Sequence, residues 1–196
     1  MKKLVAGLLM TGLLFVGLNV NAQTIVKGNL SALKGATGVN VVFTYNGLTV
    51  GKEGKEENYL KRKKQEKDSK EPGSGDKWIE QWNADKEKRY KPKFIQLLSK
   101  YTEWQLNEDT KEKYTMVVNT TFLEPGYYVG VSAGHARLNL EISIYEADNM
   151  NKALCRITME DVKAGKGQFD TASRVSEAYA KAGKMIAKFI MKNSKK

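Results

Sequence analysis

The sequence is poor in the residues that build covalent or metal-bound frameworks. Its 196 residues include a single cysteine, Cys155, and a single histidine, His135. One cysteine has no partner for an internal disulfide, which excludes a disulfide-stabilised scaffold. A metal site built from several cysteine and histidine ligands is excluded for the same reason. No apolar run after residue 22 is long enough to span a bilayer.

Motifs of several enzyme classes are also absent. The sequence contains no P-loop, no HExxH and no CxxC pattern. His135 has no sequence neighbour that would activate or orient it as a general base, so a hydrogen-bonded or exposed histidine is expected. Cys155 lies on an apolar strand face, which favours core packing over nucleophilic chemistry. We therefore predict no catalytic residue, no cofactor and no metal, and a protein that is not an enzyme.

Residues 1–22 have the layout of a secretory signal peptide. Two lysines supply a basic start, residues 4–18 are almost wholly apolar, and a Val-Asn-Ala cleavage pattern follows. The alternative is a permanent transmembrane anchor, but the apolar stretch is short for a membrane-spanning helix of about 20 residues. We therefore predict cleavage between Ala22 and Gln23. The protein is then expected to be periplasmic or secreted, and not transmembrane after cleavage.

The charge of the chain is strongly positive, +11 over the full sequence. Removal of 22 residues with their two lysines leaves 174 residues with a net charge of +9. Such a balance usually suggests nucleic acid as a partner. An exported protein meets little nucleic acid, whereas envelope phospholipids and glycolipids are anionic. We therefore predict no nucleic-acid partner.

Hydrophobic periodicity predicts that residues 23–196 form one α+β domain. Residues 23–38, rich in glycine and small polar side chains, are expected to be an irregular leading segment. Asp76 is expected to cap a second helix and Pro92 to interrupt it. The other elements expected in the first half are a strand at 39–45, a solvated helix at 52–70 and a helical segment at 94–101.

Clearer patterns in the second half predict three strands and a closing helix. The strands are expected at residues 114–123, 136–144 and 153–159, and the helix at 170–192. The last two strands alternate between apolar and polar residues, which is typical of an antiparallel sheet with one wet face. We therefore predict a two-layer sandwich of about four mainly antiparallel strands with helices packed on one face. The inner face of the sheet is expected to include Leu138, Leu140, Ile142, Ile157 and Met159.

A glycine-rich loop at residues 124–134 is the first candidate contact surface. It contains three glycines and two adjacent tyrosines, Tyr127 and Tyr128. Exposed aromatic side chains on such a loop are typical of a binding surface. The alternative is that the two tyrosines fold back onto the edge of the sheet.

A stripe of lysines on the closing helix is the second candidate. From residue 162 onward there are nine basic and two acidic residues. Spacings of three and four place the lysines on one side of the helix, beside its apolar face. They either meet anionic headgroups or form a solvated face that favours the helix C-terminus. The residues proposed for binding are Lys181, Lys184, Lys188 and Lys192.

Two parts of the chain resemble known families. The segments GVNVVFTYNGLTVGKE and EPGSGDKWIEQW resemble exported envelope proteins of Bacteroidetes. The second half has a strand ending in Glu-Pro-Gly, a glycine-rich loop, two alternating strands and a closing helix. This layout is similar to the anticodon-binding-like α+β domain of the TolB N-terminal region and of lipoprotein activators of penicillin-binding proteins. The resemblance implies a non-enzymatic envelope interaction module with a protein partner, and binding of an anionic lipid or glycolipid through the lysines is the alternative.

Overall fold

The computed structural model describes residues 23–106, 111–165 and 170–195. Within them the predicted α+β class is confirmed, because one mixed sheet packs with α-helices. The predicted signal peptide, residues 1–22, lies outside the described residues. Within the described part of the chain, no helix is both long and apolar enough to cross a membrane.

Six strands form the main sheet, and two short strands form a separate hairpin. The strands are β1 (Gln23–Gly28), β2 (Asn40–Thr44), β3 (Thr49–Val50), β4 (Tyr114–Glu124), β5 (Tyr127–Tyr128), β6 (Ala133–Gly134), β7 (Arg137–Glu146) and β8 (Cys155–Lys163). The main sheet has the order β1-β8-β7-β4-β2, and β3 also pairs with β4. Strands β2 and β3 run parallel to β4, whereas the other pairs are antiparallel.

The expectation of about four strands is wrong for the described residues, because two strands were not anticipated. Strand β1 occupies the expected irregular segment, and it pairs with β8 through a register shift between Ile25 and Lys27. An edge strand that is mostly exposed has no alternating burial for the sequence to reveal. Strand β3 is only two residues long, which is too short for a periodic pattern.

The helices are α1 (Glu56–Asp68), α2 (Ser74–Asp85), α3 (Lys91–Thr102) and α4 (Thr171–Asn193). The expected cap at Asp76 is wrong, since α2 already begins at Ser74 after Gly73. The side chain of Asp68, at the end of α1, instead accepts a hydrogen bond from the Gly75 amide at 2.8 Å. This carboxylate satisfies a free amide in the first turn of α2 from outside the helix.

Pro92 does not interrupt the helical path. A π-helical turn, Lys86–Tyr90, joins α2 directly to α3, and Pro92 stands in the first turn of α3. Proline is tolerated there because the first amides of a helix have no partner within the helix. The chain is therefore helical without a break from Ser74 to Thr102.

The core lies between the sheet and helices α3 and α4. The five residues predicted for the inner face are all buried, which confirms that prediction. Tyr179 on α4 is buried, and its hydroxyl lies 2.6 Å from Thr120 Oγ1 on β4. Arg137 and Glu141 on β7 alternate with the buried leucines and are exposed. The prediction that Cys155 belongs to the core is also confirmed, and burial raises the pKa of its thiol to about 11.

Candidate functional site

An open cleft of about 1030 Å³ lies at one end of the sheet. Strand β4 ends there at Glu124, which pairs with Arg137 at the start of β7, and Arg137 pairs with Lys163 at the end of β8. Residues of α1, of the loop before it and of the start of α4 complete the walls. The basic residues in the lining are Lys52, Arg62, Lys63, Arg137, Lys163 and Arg174. The acidic ones are Glu53, Glu66 and Glu124, so the lining has an excess of three positive charges.

The two predicted tyrosines lie on one wall of this cleft. The expected loop forms a small hairpin instead, in which Tyr127 pairs with Gly134 and Tyr128 with Ala133. A Cβ atom on Gly134 would lie 2.5 Å from Cε1 of Tyr127, so glycine is what lets the ring lie across the hairpin. The Tyr127 hydroxyl is 3.1 Å from Ser132 Oγ. Tyr127 therefore packs on its own hairpin with half of its surface, 51%, still exposed.

The base of the hairpin is held by Arg174 from the second turn of α4. Its Nε donates to the Pro125 carbonyl at 3.1 Å, and Nη2 approaches the Gly126 carbonyl at 3.4 Å. Arg174 is only 5% exposed, so these contacts replace hydration that its guanidinium has lost. Sequence analysis missed this role and counted Arg174 only as charge. Its position four residues before the buried Ala178 was a signal that it lies on the inward side of the helix.

The α1 wall of the cleft is largely neutralised by its own ion pairs. Arg62 lies 2.8 Å from Glu53 and 3.2 Å from Glu66, and Lys63 lies 2.8 Å from Glu66. The Lys63 ammonium, hydrogen-bonded to Glu66, lowers the pKa of that carboxyl below its ordinary value. An incoming anion would gain little from this wall without displacing a carboxylate.

The opposite wall has spare positive charge. Arg137 and Lys163 share one carboxylate, Asp161, at 3.5 Å and 2.7 Å. Lys52 makes no ion pair with any residue in the described ranges. Two cations that share one anion, together with an unpaired lysine, leave this side of the cleft able to bind a negatively charged group.

A serine motif that the sequence analysis did not single out also falls on the hairpin. Residues 130–134, Gly-Val-Ser-Ala-Gly, fit the GxSxG pattern of nucleophilic serines. That motif requires a sharp turn from a strand into a helix, whereas Ser132 stands between two short strands. Its hydroxyl is paired with Tyr127, and Nδ1 of His135 donates to the Ala164 carbonyl at 2.7 Å. The prediction of a hydrogen-bonded histidine is thus confirmed, and Ser132 has no elbow geometry.

The lysine stripe on α4 lies apart from the cleft. Lys181, Lys188 and Lys192 are exposed, and Lys184 is half-buried. Both Lys184 and Lys188 place their ammonium groups about 5 Å from the ring centre of Tyr101. A hydrogen bond from Lys184 lowers the pKa of the Tyr101 hydroxyl. At about 1.5 Å per residue, Lys192 lies roughly 27 Å along the helix from Arg174, so the two predicted surfaces are separate.

Comparison with known proteins adds little to this geometry. No protein-family model matches the sequence, and no curated protein is similar to it. Among solved structures, the chain is similar to a PelC dodecamer from Paraburkholderia phytofirmans in space group C2, with 12% identity and a TM-score of 0.38 over 84% of this chain and 94% of that one. A PelC dodecamer in space group P6 gives 11% identity and a TM-score of 0.35 over 83% and 95%. Similarities this low carry no argument about function.

Proposed function

We propose that this chain is a non-enzymatic interaction module of the periplasm or of the extracellular space. Its residues 1–22 are then a signal peptide that is removed before Gln23. The fold is compatible with that cleavage position, because β1 begins at Gln23 and pairs with Met159 of β8. The processed chain would keep all six strands of the sheet.

We also propose that the domain is a two-layer sandwich, with its helices on one face of the sheet. The support is the alternation of burial along β7, where leucines are buried and the charged residues between them are exposed. A sheet covered on one side only has this pattern. The exposed face of the sheet is then available to solvent or to a partner.

The proposed partner is an envelope protein that inserts an acidic segment into the cleft. The observation that carries this proposal is the excess of three positive charges in a cleft that also holds a half-exposed tyrosine. Complementary charge accelerates association and rejects wrong partners. Tyrosine is enriched at protein interfaces because a rigid ring supplies contact area and its hydroxyl a polar group.

Site-specific crosslinking tests this proposal. A photoreactive residue in place of Tyr127 should give a discrete protein adduct in intact cells, whereas the same residue in place of Met150 should not. Met150 is exposed in the turn between β7 and β8, at the other end of the sheet. Mapping of the adduct should place the crosslink in a segment rich in aspartate and glutamate.

The charge dependence of that adduct provides the control. Reversal of three cleft cations (Lys52→Glu, Arg137→Glu and Lys163→Glu) should reduce the adduct at least tenfold. Reversal of three exposed lysines elsewhere (Lys27→Glu, Lys34→Glu and Lys152→Glu) makes the same change in net charge and should leave it unchanged. Equal loss in both variants, or a crosslinked segment without excess acid, would contradict an acidic partner in the cleft.

The lysine stripe supports a second candidate function, binding of an anionic envelope lipid or glycolipid. None of its four lysines is paired with a carboxylate in the part of the chain that is described. Each lysine near an anionic surface contributes about 1 kcal/mol, and exposed charges act collectively over about 8 Å at physiological salt. The stripe therefore offers a binding surface that no single lysine provides.

Replacement of the whole stripe tests this second candidate. A variant with glutamine at all four positions should keep its fold, because the apolar side of α4 is untouched, and should lose most of its retention on anionic vesicles at low salt. Each single Lys→Gln variant should change retention only slightly. Failure of the wild-type protein to bind such vesicles would contradict the lipid function of the stripe.

A further inference from the structure

The end of the β5–β6 hairpin presents two apolar side chains to water. Val129 is 64% exposed and Val131 is fully exposed, more than any other large apolar side chain in the described ranges. We refer to residues 129–131 as the hairpin tip. Val129 also lines the cleft, whereas Val131 does not. Single exposed apolar residues are common on soluble proteins, but two on one turn form a local apolar surface.

The tip is held in shape by its own hydrogen bonds. The Val129 amide donates to the Ser132 carbonyl at 2.9 Å, and the Val131 amide donates to the Val129 carbonyl at 3.0 Å. Gly130 between them has a φ of +77°, which glycine adopts without strain. Because these amides already have acceptors, moving the tip out of water would not leave them unpaired. Little conformational entropy remains to be lost on binding.

Charge around the tip is arranged for an anionic surface. Residues 125–136 contain no aspartate, glutamate, lysine or arginine, so the tip carries no carboxylate toward its target. Behind it lies the cleft wall on which Lys52 is unpaired and two further cations share Asp161. Basic residues set just behind an apolar element are attracted to anionic headgroups while the apolar element enters the lipid.

We propose that the hairpin tip inserts into the interface of a membrane that contains anionic phospholipid. Two valines are too small a surface for a protein interface, which buries about 800 Å² on each partner. A lipid surface, by contrast, adapts to an isolated apolar protrusion. Tyr127, half-exposed at the base of the tip, would lie at headgroup depth, where tyrosine is enriched. This goes beyond the proposed partner, since it requires no acidic protein segment and uses valines that the lysine stripe does not include.

Vesicle binding with matched valine variants tests the proposal. The probe is a vesicle of equal parts phosphatidylglycerol and phosphatidylcholine, with pure phosphatidylcholine for comparison. Val129→Ser combined with Val131→Ser should weaken binding to the anionic vesicles at least tenfold. Val26→Ser combined with Val42→Ser removes two exposed valines from strands β1 and β2 and should leave binding unchanged.

A fluorescence readout reports insertion independently of affinity. A Val131→Cys variant labelled with an environment-sensitive dye should show a blue shift and higher intensity on the anionic vesicles. The native thiol will not compete for the label, because Cys155 is buried and its pKa is raised. No spectral shift at saturating vesicle would overturn the proposal, as would full binding by the double serine variant.

Two further outcomes would also overturn it and would identify the alternative. Vesicle binding that survives the valine changes but is lost with the four glutamines would assign lipid contact to the stripe. Absence of vesicle binding, together with loss of the Tyr127 crosslink in the valine variant, would assign the tip to a protein partner. Because the crosslink and the vesicles are measured separately, either function can fail without the other.

Discussion

A Leu140→Asp variant is expected to be unfolded under conditions in which the wild-type protein is folded. Leu140 is 1% exposed and lies in the middle of the sheet, paired with Thr120 on β4 and Met159 on β8. Loss of a buried leucine side chain costs about 2–5 kcal/mol, and an unpaired buried carboxylate adds several more. Domains of this kind have a total stability of about 5–15 kcal/mol. Circular dichroism during urea titration will measure the loss.

The matched control is Ser143→Asp on the same strand. Ser143 belongs to the alternate face of β7, is only half-buried, and pairs with Arg156 on β8. An added carboxylate there remains hydrated and lies near a guanidinium, so we expect a change in unfolding free energy of less than about 1 kcal/mol. A wild-type urea midpoint for Leu140→Asp would mean that the buried face of β7 has been assigned incorrectly.

The strands of the second half could be predicted because one face of each is buried and the other is wet. A period of two then appears in the sequence, and a one-residue error would place every apolar side chain in water. The inner-face residues of β7 and β8 were predicted correctly on this basis. The same reasoning gave α4, whose apolar residues recur at helical spacing and are buried against the sheet.

The elements that escaped prediction have no such periodic signal. Strand β1 is an edge strand, and β3 is two residues long. The parallel pairing of β2 with β4 joins residues about 75 positions apart, such as Asn40 and Thr115. Local patterns contain no information about contacts at that separation. The continuous helical path through Pro92 depends on a π-helical turn, which the proline alone does not indicate.

The candidate site was predicted only in part, for a related reason. Tyr127 and Tyr128 stand out in the sequence because aromatic residues are unusual in a glycine-rich connection. The cleft beside them is assembled from segments far apart in the chain, namely the loop before α1, α1 itself, the strand ends and the start of α4. Its excess positive charge emerges only when these segments meet. Arg174 illustrates the point, because its partners are carbonyls 48 and 49 residues earlier.

The contact between α3 and α4 leads to the second large expected effect, for Gly183→Ala. A Cβ atom on Gly183 would lie 2.2 Å from the Phe94 carbonyl oxygen and 3.0 Å from its carbon. The obstacle is backbone rather than a movable side chain, so α3 and α4 must separate to admit one methyl group. Overpacking of this kind costs about 1–3 kcal/mol.

Gly183→Ala is an informative change because helix propensity alone predicts the opposite sign. Alanine is favoured over glycine inside a helix by about 1 kcal/mol, so a net loss of stability must come from the contact with Phe94. Gly165→Ala is the matched control, since nothing lies within 4 Å of a Cβ atom at that position, and it should be neutral or slightly stabilising. We expect a lower urea midpoint for Gly183→Ala only. A stabilised Gly183→Ala variant would show that the two helices do not approach as closely as described.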